Sequence, residues 1–177
     1  MRRTYDQNSD EADFFHGRID MKPSILATGL MSMVALCFSH AASGQLVDAT
    51  DPFSIMQLIQ KDGYQGRLET DSTGDPKISG RLGKANWNMY FYGCEDNRDC
   101  LSVSLSSGFD LADGLSFESA NEFNNKWRWA NVELDADNDP FLQMDINLAY
   151  GVSEENFRDS FDTWRIVLEQ FVTFIDW

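Results

Sequence analysis

Two cysteines, Cys94 and Cys100, stand at the end of one predicted strand and at the start of the next. In an oxidising compartment, a pair placed across so short a loop is typical of a structural disulfide, whereas redox enzymes use a tighter Cys-x-x-Cys at a helix start. A zinc site would need further cysteine or histidine ligands, and the sequence after Gly44 contains none. We therefore expect a disulfide that joins two strands of a hairpin.

A second candidate for chemistry is the run of alternating acids at Asp135, Asp137 and Asp139, which resembles a calcium loop. An EF-hand loop requires glycine at its sixth place and glutamate at its twelfth. Those places hold Pro140 and Ile146, so the EF-hand interpretation fails. Two alternatives stay open: a looser calcium contact through the three aspartates, or a plain hairpin turn in an acidic protein. We expect no other metal site and no cofactor.

Four aromatic residues are candidates for a ligand groove: Tyr90, Tyr92, Trp127 and Trp129. The two tyrosines occupy the polar phase of a predicted strand, and with the two tryptophans they would line a groove for a peptide or a sugar. The competing interpretation places them in the core or against the sheet, where most aromatic side chains of a small domain lie.

The first 44 residues have the pattern of an export signal. A basic residue, an apolar core of about a dozen residues and small residues before Gln45 are typical of a secretory signal peptide. We expect 21–44 to be cleaved, which leaves Gln45 as the mature start of a periplasmic or secreted protein. An uncleaved anchor or a lipoprotein signal at Cys37 are the alternatives. Residues 1–20 are either an incorrectly assigned start or a disordered leader.

The chain beyond this segment is strongly acidic. The first 44 residues hold four of the 14 basic and five of the 29 acidic side chains, so the remaining 133 carry 10 basic and 24 acidic ones, a net charge of −14. Such a surface repels nucleic acid and anionic lipid. We therefore expect neither as a partner, and no membrane contact beyond the signal segment.

Paired carboxylates are the remaining route to catalysis, because glycoside hydrolases use two of them. Among 24 acids some pairs will be close by chance, so proximity assigns no catalytic residue. Asp145 lies on the polar phase of an otherwise apolar strand. We expect it to be exposed to solvent or paired with Arg128 or Arg165.

The sequence predicts three helices, which begin after the N-cap residues Asp51, Ser116 and Ser153. The first has an apolar face, and the last has apolar residues at spacings of three and four, which form one wide apolar stripe. Gly63 stops the first helix, and the second ends near Lys126.

Six strands are predicted from periods of two and from turn residues. They cover 64–70, 77–81, 87–92, 101–106, 128–134 and 141–148. The fourth has serines at alternate positions, which gives it one wet face. Short connections predict antiparallel hairpins. The expected fold is α+β, with flanking helices on an antiparallel sheet and the order α-β-β-β-β-α-β-β-α.

Two of the predicted turns are alike. Asp71 to Pro76 and Asp135 to Pro140 each form an acidic turn that ends in Asp-Pro between two strands. We interpret this likeness as convergent turn chemistry rather than as an internal repeat.

Five short motifs occur in order along the chain. They are Asp71-Ser-Thr-Gly-Asp-Pro76, Phe91-Tyr-Gly-Cys94, Asn121-Glu-Phe-Asn124 with Arg128, Met144-Asp-Ile-Asn-Leu148 and Gly151-Val-Ser-Glu-Glu-Asn-Phe157. Together they resemble the YbjN-domain family, described as bacterial sensory transduction regulators. The resemblance implies a fold similar to class I type III secretion chaperones, which bind extended protein segments and are often homodimers. It implies no catalytic residue, and the export signal and cysteine pair mark this chain as a secreted variant.

Three functional hypotheses follow. The first is a single domain, residues 45–177, that is not an enzyme and binds a protein or peptide in the periplasm, with a role in sensing or regulation. The second is a carboxylate-based hydrolase that acts on envelope glycan, which requires two acids facing each other in an aromatic-lined cleft. The third is a calcium or small-ligand sensor that uses the acidic turns.

Overall fold

The structure is a computed structural model that describes residues 46–177. The predicted leader at 1–20, the signal peptide at 21–44 and the mature start at Gln45 lie outside the described residues. Within the described range, no helix is both long and apolar enough to cross a membrane.

The described chain forms three helices and eight strands. The helices are Pro52–Lys61 (α1), Phe117–Lys126 (α2) and Glu154–Phe174 (α3). The strands are Leu46–Val47 (β1), Arg67–Thr70 (β2), Pro76–Leu82 (β3), Ala85–Tyr92 (β4), Ser102–Gly108 (β5), Asn131–Leu134 (β6), Pro140–Asn147 (β7) and Val152–Ser153 (β8).

Strands β2 to β7 form one antiparallel sheet in the order β2-β3-β4-β5-β7-β6, while β1 and β8 form a separate short ladder. The predicted α+β class, with its antiparallel sheet and three helices, is confirmed. The predicted element order holds apart from β1 and β8, which the sequence analysis missed. Two residues are too few to show a period of two, so such a strand leaves no signal in the sequence.

The predicted N-caps explain where the helices begin. The Asp51 carboxylate accepts the N–H of Ser54 at 3.0 Å, and Pro52 occupies the first turn, where the missing donor costs nothing. Ser116 and Ser153 accept the equivalent N–H groups of α2 and α3. These side chains satisfy backbone donors that a helix cannot satisfy itself.

Alternation along the strands gives the sheet one apolar and one polar face. On β4, the side chains of Trp87, Met89 and Phe91 are buried, whereas those between them are not. The helices pack on the apolar face; for example, the rings of Trp87 and Phe161 lie 5.4 Å apart, edge to face. The polar face is left without a covering layer among residues 46–177.

Candidate binding surfaces of the sheet

The hairpin of β2 and β3 forms one edge of the sheet and is closed by an aspartate turn. The N–H of Asp71 donates to the Asp75 carbonyl at 2.8 Å, and Asp71 Oδ1 accepts the N–H groups of Thr73 and Asp75 at 2.8 and 3.0 Å. The Thr73 hydroxyl donates to the same oxygen. The pKa of Asp71 lies below its ordinary value, chiefly because this hydroxyl stabilises the charged carboxylate. Partial desolvation raises the pKa, but the hydroxyl and the backbone N–H donors together lower it by more.

The hairpin of β6 and β7 forms the opposite edge and closes with the same turn. The N–H of Asp135 donates to the Asp139 carbonyl at 3.1 Å, and Asp135 Oδ1 accepts the N–H groups of Asp137 and Asp139, each at 2.9 Å. Asp139 accepts the N–H of Leu111 at 2.8 Å. The carboxylates of Asp135 and Asp139 therefore bind backbone. Within residues 46–177 no three His, Cys, Asp or Glu side chains form a group able to hold a metal ion.

Asn124 of α2 covers the free edge of β6. Its Oδ1 accepts the N–H of Val132 at 2.7 Å, and its Nδ2 donates to the Val132 carbonyl at 3.1 Å. The N–H and C=O groups of Val132 point away from β7, because every second residue of an edge strand directs these groups out of the sheet. The amide thus takes the place of a neighbouring strand, and we call this side of the sheet the covered edge.

The free edge of β2 has no such cover among residues 46–177. The register with β3 directs the N–H and C=O groups of Leu68 and Thr70 outward, and no hydrogen-bond partner for them lies within those residues. Gln60 of α1 reaches only the carbonyl of Gly66, at 2.7 Å, one residue before the strand begins. We call this side the open edge.

The predicted disulfide is present: Cys94 and Cys100 are bonded between the end of β4 and the start of β5. Asn97, within the loop, adopts the left-handed conformation with φ 61°. Its Nδ2 donates to Asp75 Oδ1 at 2.8 Å and to the Thr73 carbonyl at 3.3 Å. The cross-linked loop therefore braces the turn of the first hairpin.

A shallow channel runs along β5 on the polar face, and we call it the serine trough. Its floor is Ser102, Ser104 and Ser106, and its walls are Tyr90 and Tyr92 of β4 with Gln143, Asp145 and Asn147 of β7. Small side chains between larger ones produce the depression, and Ser104 on the floor is only 8% exposed. The part of the trough between Tyr92 and Asn147 forms an open depression of about 630 Å³.

The structure does not bring the four candidate aromatic residues into one groove. Tyr90 and Tyr92 line the serine trough, as the polar phase of their strand predicted. Trp127 lies on the helix-covered side, where its ring stacks on Phe123 at 6.2 Å. Trp129 is exposed beyond the end of α2, and the Arg128 guanidinium lies 4.8 Å from its ring. A groove lined by all four is therefore wrong, because the sheet separates Trp127 from the tyrosines.

Asp145 is exposed on the trough wall and makes no ion pair within the described residues. Its predicted partner Arg165 instead binds two carboxylates of its own helix, α3. The Tyr92 side chain is half exposed, and the partial desolvation of its hydroxyl, reinforced by repulsion from Tyr90 and Asp145, raises the pKa of Tyr92. The Tyr92 hydroxyl therefore stays protonated at neutral pH and can donate a hydrogen bond to a ligand.

Sequence reasoning identified the serines as a wet face but missed two features of this surface. It did not place β7 beside β5, so Gln143, Asp145 and Asn147 were not recognised as the second wall. It also gave Asn124 no role beyond its place in a motif. The sequence did contain a signal for Asn124. This residue lies as many positions before the start of β6 as Gln60 lies before the start of β2.

Comparison with known proteins gives three results. Residues 52–177 match the model of the YbjN family, described as "Putative bacterial sensory transduction regulator". No curated protein matches the sequence. A solved structure, "Crystal structure of YbjN, a putative transcription regulator from E. coli", matches with a TM-score of 0.41 and 18% identity, over 70% of this chain and 91% of that chain.

Proposed function

This chain belongs to the YbjN family, and from that premise we propose that it is an exported, non-enzymatic domain that binds a protein or peptide in the serine trough. Binding of a partner is the step that a sensory regulator needs in order to respond to it. The single observation that carries the proposal is the serine trough on a sheet face that no described element covers.

The repeat of the trough fits an extended peptide. Side chains on one face of a strand recur every two residues, a distance of about 6.6–6.8 Å. An extended peptide has the same repeat, so each floor serine meets every second residue of a chain laid along β5. The walls add amide, carboxylate and phenol groups that donate or accept hydrogen bonds. This type of ligand agrees with the extended segments that the chaperone resemblance implies.

The carboxylates of the trough favour binding over glycan hydrolysis. Asp145 is the one acid among the trough residues of the described chain. Glycoside hydrolysis uses two carboxylates on opposite sides of the scissile bond. A sugar bound between Tyr92 and Asp145 would contact a single carboxylate, that of Asp145.

Export is supported by two features. The first is the signal pattern at 21–44. The second is the bond between Cys94 and Cys100, since structural disulfides persist mainly in oxidising compartments. The acidic charge agrees with a partner that is neutral or basic rather than nucleic acid or anionic lipid.

Photo-crosslinking in intact cells tests the proposal. A photoreactive residue replaces Tyr92 on the trough wall, and in a matched chain it replaces Gln170, an exposed residue of α3 on the other side of the molecule. We expect a protein or peptide adduct at position 92 and none of the same mass at 170. Ser104→Arg fills the trough and should abolish the adduct, whereas Gln170→Arg adds the same charge elsewhere and should leave it.

Two results would contradict the proposal. One is an adduct of unchanged yield with Ser104→Arg in a chain whose circular dichroism matches wild type. The other is an absence of any adduct at position 92 under every growth condition in which the protein is present in the envelope fraction.

A further inference from the structure

The polar face of β2, β3 and β4 carries a positive charge in an acidic chain. Arg67, Lys77 and Arg81 lie on this face by register, and Glu69 is the one acid among the residues of these three strands. Three positive charges and one negative charge give the face a net charge of +2, whereas the sequence after Gly44 carries −14. The face therefore attracts a compact anion, while the acidic surface around it repels an extended polyanion.

An open depression of about 530 Å³ lies on this face beside the start of β2. The first residue of β2, Arg67, lies opposite Ser79, so Arg81, two residues further along β3, has no neighbour from β2. The absence of a neighbouring strand there leaves the side of β3 open. In the described chain no acidic residue lines the depression, and its polar side chains all carry N–H or O–H donors. They are Gln65, Arg67, Ser79, Arg81, Asn86 and Asn88.

The two guanidinium groups of the depression keep donors available for a ligand. The Nε–H of Arg81 donates to the Gly83 carbonyl at 3.0 Å, which orients the group, and its two terminal nitrogens have no partner among residues 46–177. Arg67 uses one terminal nitrogen, Nη2, for an ion pair with Glu69. Because a guanidinium carries five N–H donors, both groups retain several. The exposed Asn86, which lies opposite Arg81 on β4, adds a side-chain amide.

Glu69 shows that this face stabilises a carboxylate. Partial desolvation acts against its ionisation, but hydrogen bonds from Lys77 and Ser79 and the charge of Arg67 outweigh it, so the pKa of Glu69 lies below its ordinary value. Lys77 Nζ lies 3.3 Å from the Glu69 carboxylate, and the Ser79 hydroxyl lies 3.2 Å from it. Glu69 thus offsets one of the three positive charges, and Arg81 makes no ion pair within the described residues.

We propose that the depression binds a small organic dicarboxylate, with one carboxylate on the guanidinium of Arg81 and the other on that of Arg67. These residues are diagonal neighbours on adjacent strands, roughly 7–8 Å apart. A ligand with two separated charged ends spans that distance better than a single phosphate does. Each carboxylate matches the planar fork of one guanidinium. The two negative charges of the ligand equal the net charge of +2 on the face, and Asn86 and Asn88 donate further hydrogen bonds.

Calorimetric titration of the purified protein with succinate and glutarate tests this site, with acetate and inorganic phosphate as reference anions. We expect saturable binding of at least one dicarboxylate, with a dissociation constant about tenfold or more below those of acetate and phosphate. Arg81→Gln removes charged hydrogen bonds and should raise the dissociation constant about tenfold or more. Asn88→Asp places a carboxylate in the depression and should also weaken binding. Glu69→Gln removes a repelling carboxylate and releases Arg67, so it should tighten binding.

Arg98→Gln and Asn125→Asp are the matched controls. They make the same charge changes as Arg81→Gln and Asn88→Asp, at exposed positions in the disulfide loop and on α2, and should leave binding unchanged. Three results would each overturn the proposal: no saturable binding of either dicarboxylate, acetate or phosphate bound as tightly, or equal effects of Arg81→Gln and Arg98→Gln in chains whose circular dichroism matches wild type. No titration contains a peptide, so the outcome is independent of the proposed function.

Discussion

The two helix–hairpin units at the ends of the sheet, α1-β2-β3 and α2-β6-β7, have the same local structure and different edges. Each has a helix, a short outer strand, a turn that an aspartate closes, and an inner strand that begins at the proline of an Asp-Pro pair. The likeness extends to an amide side chain on each helix, which goes beyond the turn chemistry that the sequence suggested. The amide of Asn124 binds both backbone groups of Val132, while that of Gln60 binds one carbonyl before its strand.

The two edges differ in which outward backbone groups are occupied within the described residues: those of Val132 are bound by Asn124, and those of Leu68 are not. An edge strand whose outward N–H and C=O groups are both occupied cannot form hydrogen bonds to another strand. An edge strand of the same local fold whose outward groups are free can form them. The two turns also differ in the hydrogen bond that their last aspartate accepts. The Asp75 carboxylate accepts one from the side-chain amide of Asn97 in the disulfide loop, and the Asp139 carboxylate accepts one from the N–H of Leu111.

Removal of the covering amide should have the largest effect. Asn124→Ala leaves the N–H and C=O of Val132 without partners in a residue that is 5% exposed. We expect the free energy of unfolding to fall by about 2–3 kcal/mol. Gln60→Ala removes a single exposed hydrogen bond and should cost less than about 1 kcal/mol. Urea denaturation of both variants measures the difference, and equal losses would contradict the assigned roles.

Loss of the disulfide should lower the stability of the whole domain, and its local effect should be confined to the first unit. Replacement of Cys94 and Cys100 by serine should lower the free energy of unfolding by about 2 kcal/mol, since the unfolded chain regains the entropy of a short loop. The loop then holds Asn97 less firmly against Asp75. Backbone amides in the turn from Asp71 to Asp75 should exchange faster with solvent, and those of the second turn should not. Equal acceleration in both turns would show that the brace has no local effect.

The left-handed position of each turn gives a smaller contrast. Gly74 has φ 97° and Asn138 has φ 62°. Gly74→Ala should lower the free energy of unfolding by about 1 kcal/mol, because residues other than glycine and asparagine rarely adopt this backbone conformation. Asn138→Gly should change the free energy of unfolding by no more than a few tenths of a kcal/mol. Thermal denaturation compares the two, and an unchanged midpoint for Gly74→Ala would show that the turn adapts.

The smallest expected effect is a pH dependence of the first turn. The folded pKa of Asp71 lies below its unfolded value, mainly because of the Thr73 hydroxyl. Its contribution to stability is therefore present above the unfolded value, about 4, and is lost as pH falls through the folded value. Thr73→Val should raise the folded pKa toward the ordinary range, which NMR titration of the Asp71 carboxyl carbon measures. An unchanged pKa would exclude the hydroxyl as its cause.

The sequence predicted what depends on neighbouring residues. Asp51, Ser116 and Ser153 identified the helix starts, and the pair Cys94 and Cys100 identified the cross-link, because caps and short loops are local. The strand boundaries were less accurate: β2 begins at Arg67 rather than at Tyr64. The Tyr64 ring packs against Phe161 of α3, a tertiary contact that residue periodicity cannot reveal.

The surfaces depend on contacts between distant segments and could not be predicted in the same way. The trough requires β7 beside β5, but β6 lies between them in the chain and is placed outside β7 in the sheet. Trp127 was grouped with Tyr90 on residue type alone, and the sheet places them on opposite faces. The hydrogen bonds of Asn124 to the edge of β6 depend on how α2 packs against β6. The amphipathic pattern of α2 does not specify that position.

Amide hydrogen exchange, resolved by residue, tests the contrast between the two edges most directly. Val132 should exchange slowly, because its N–H donates to Asn124 Oδ1. Leu68 should exchange fast, because its N–H points out of the sheet and has no partner among residues 46–177. A Leu68 amide as slow as that of Val132, or a Val132 amide as fast as that of Leu68, would contradict the account.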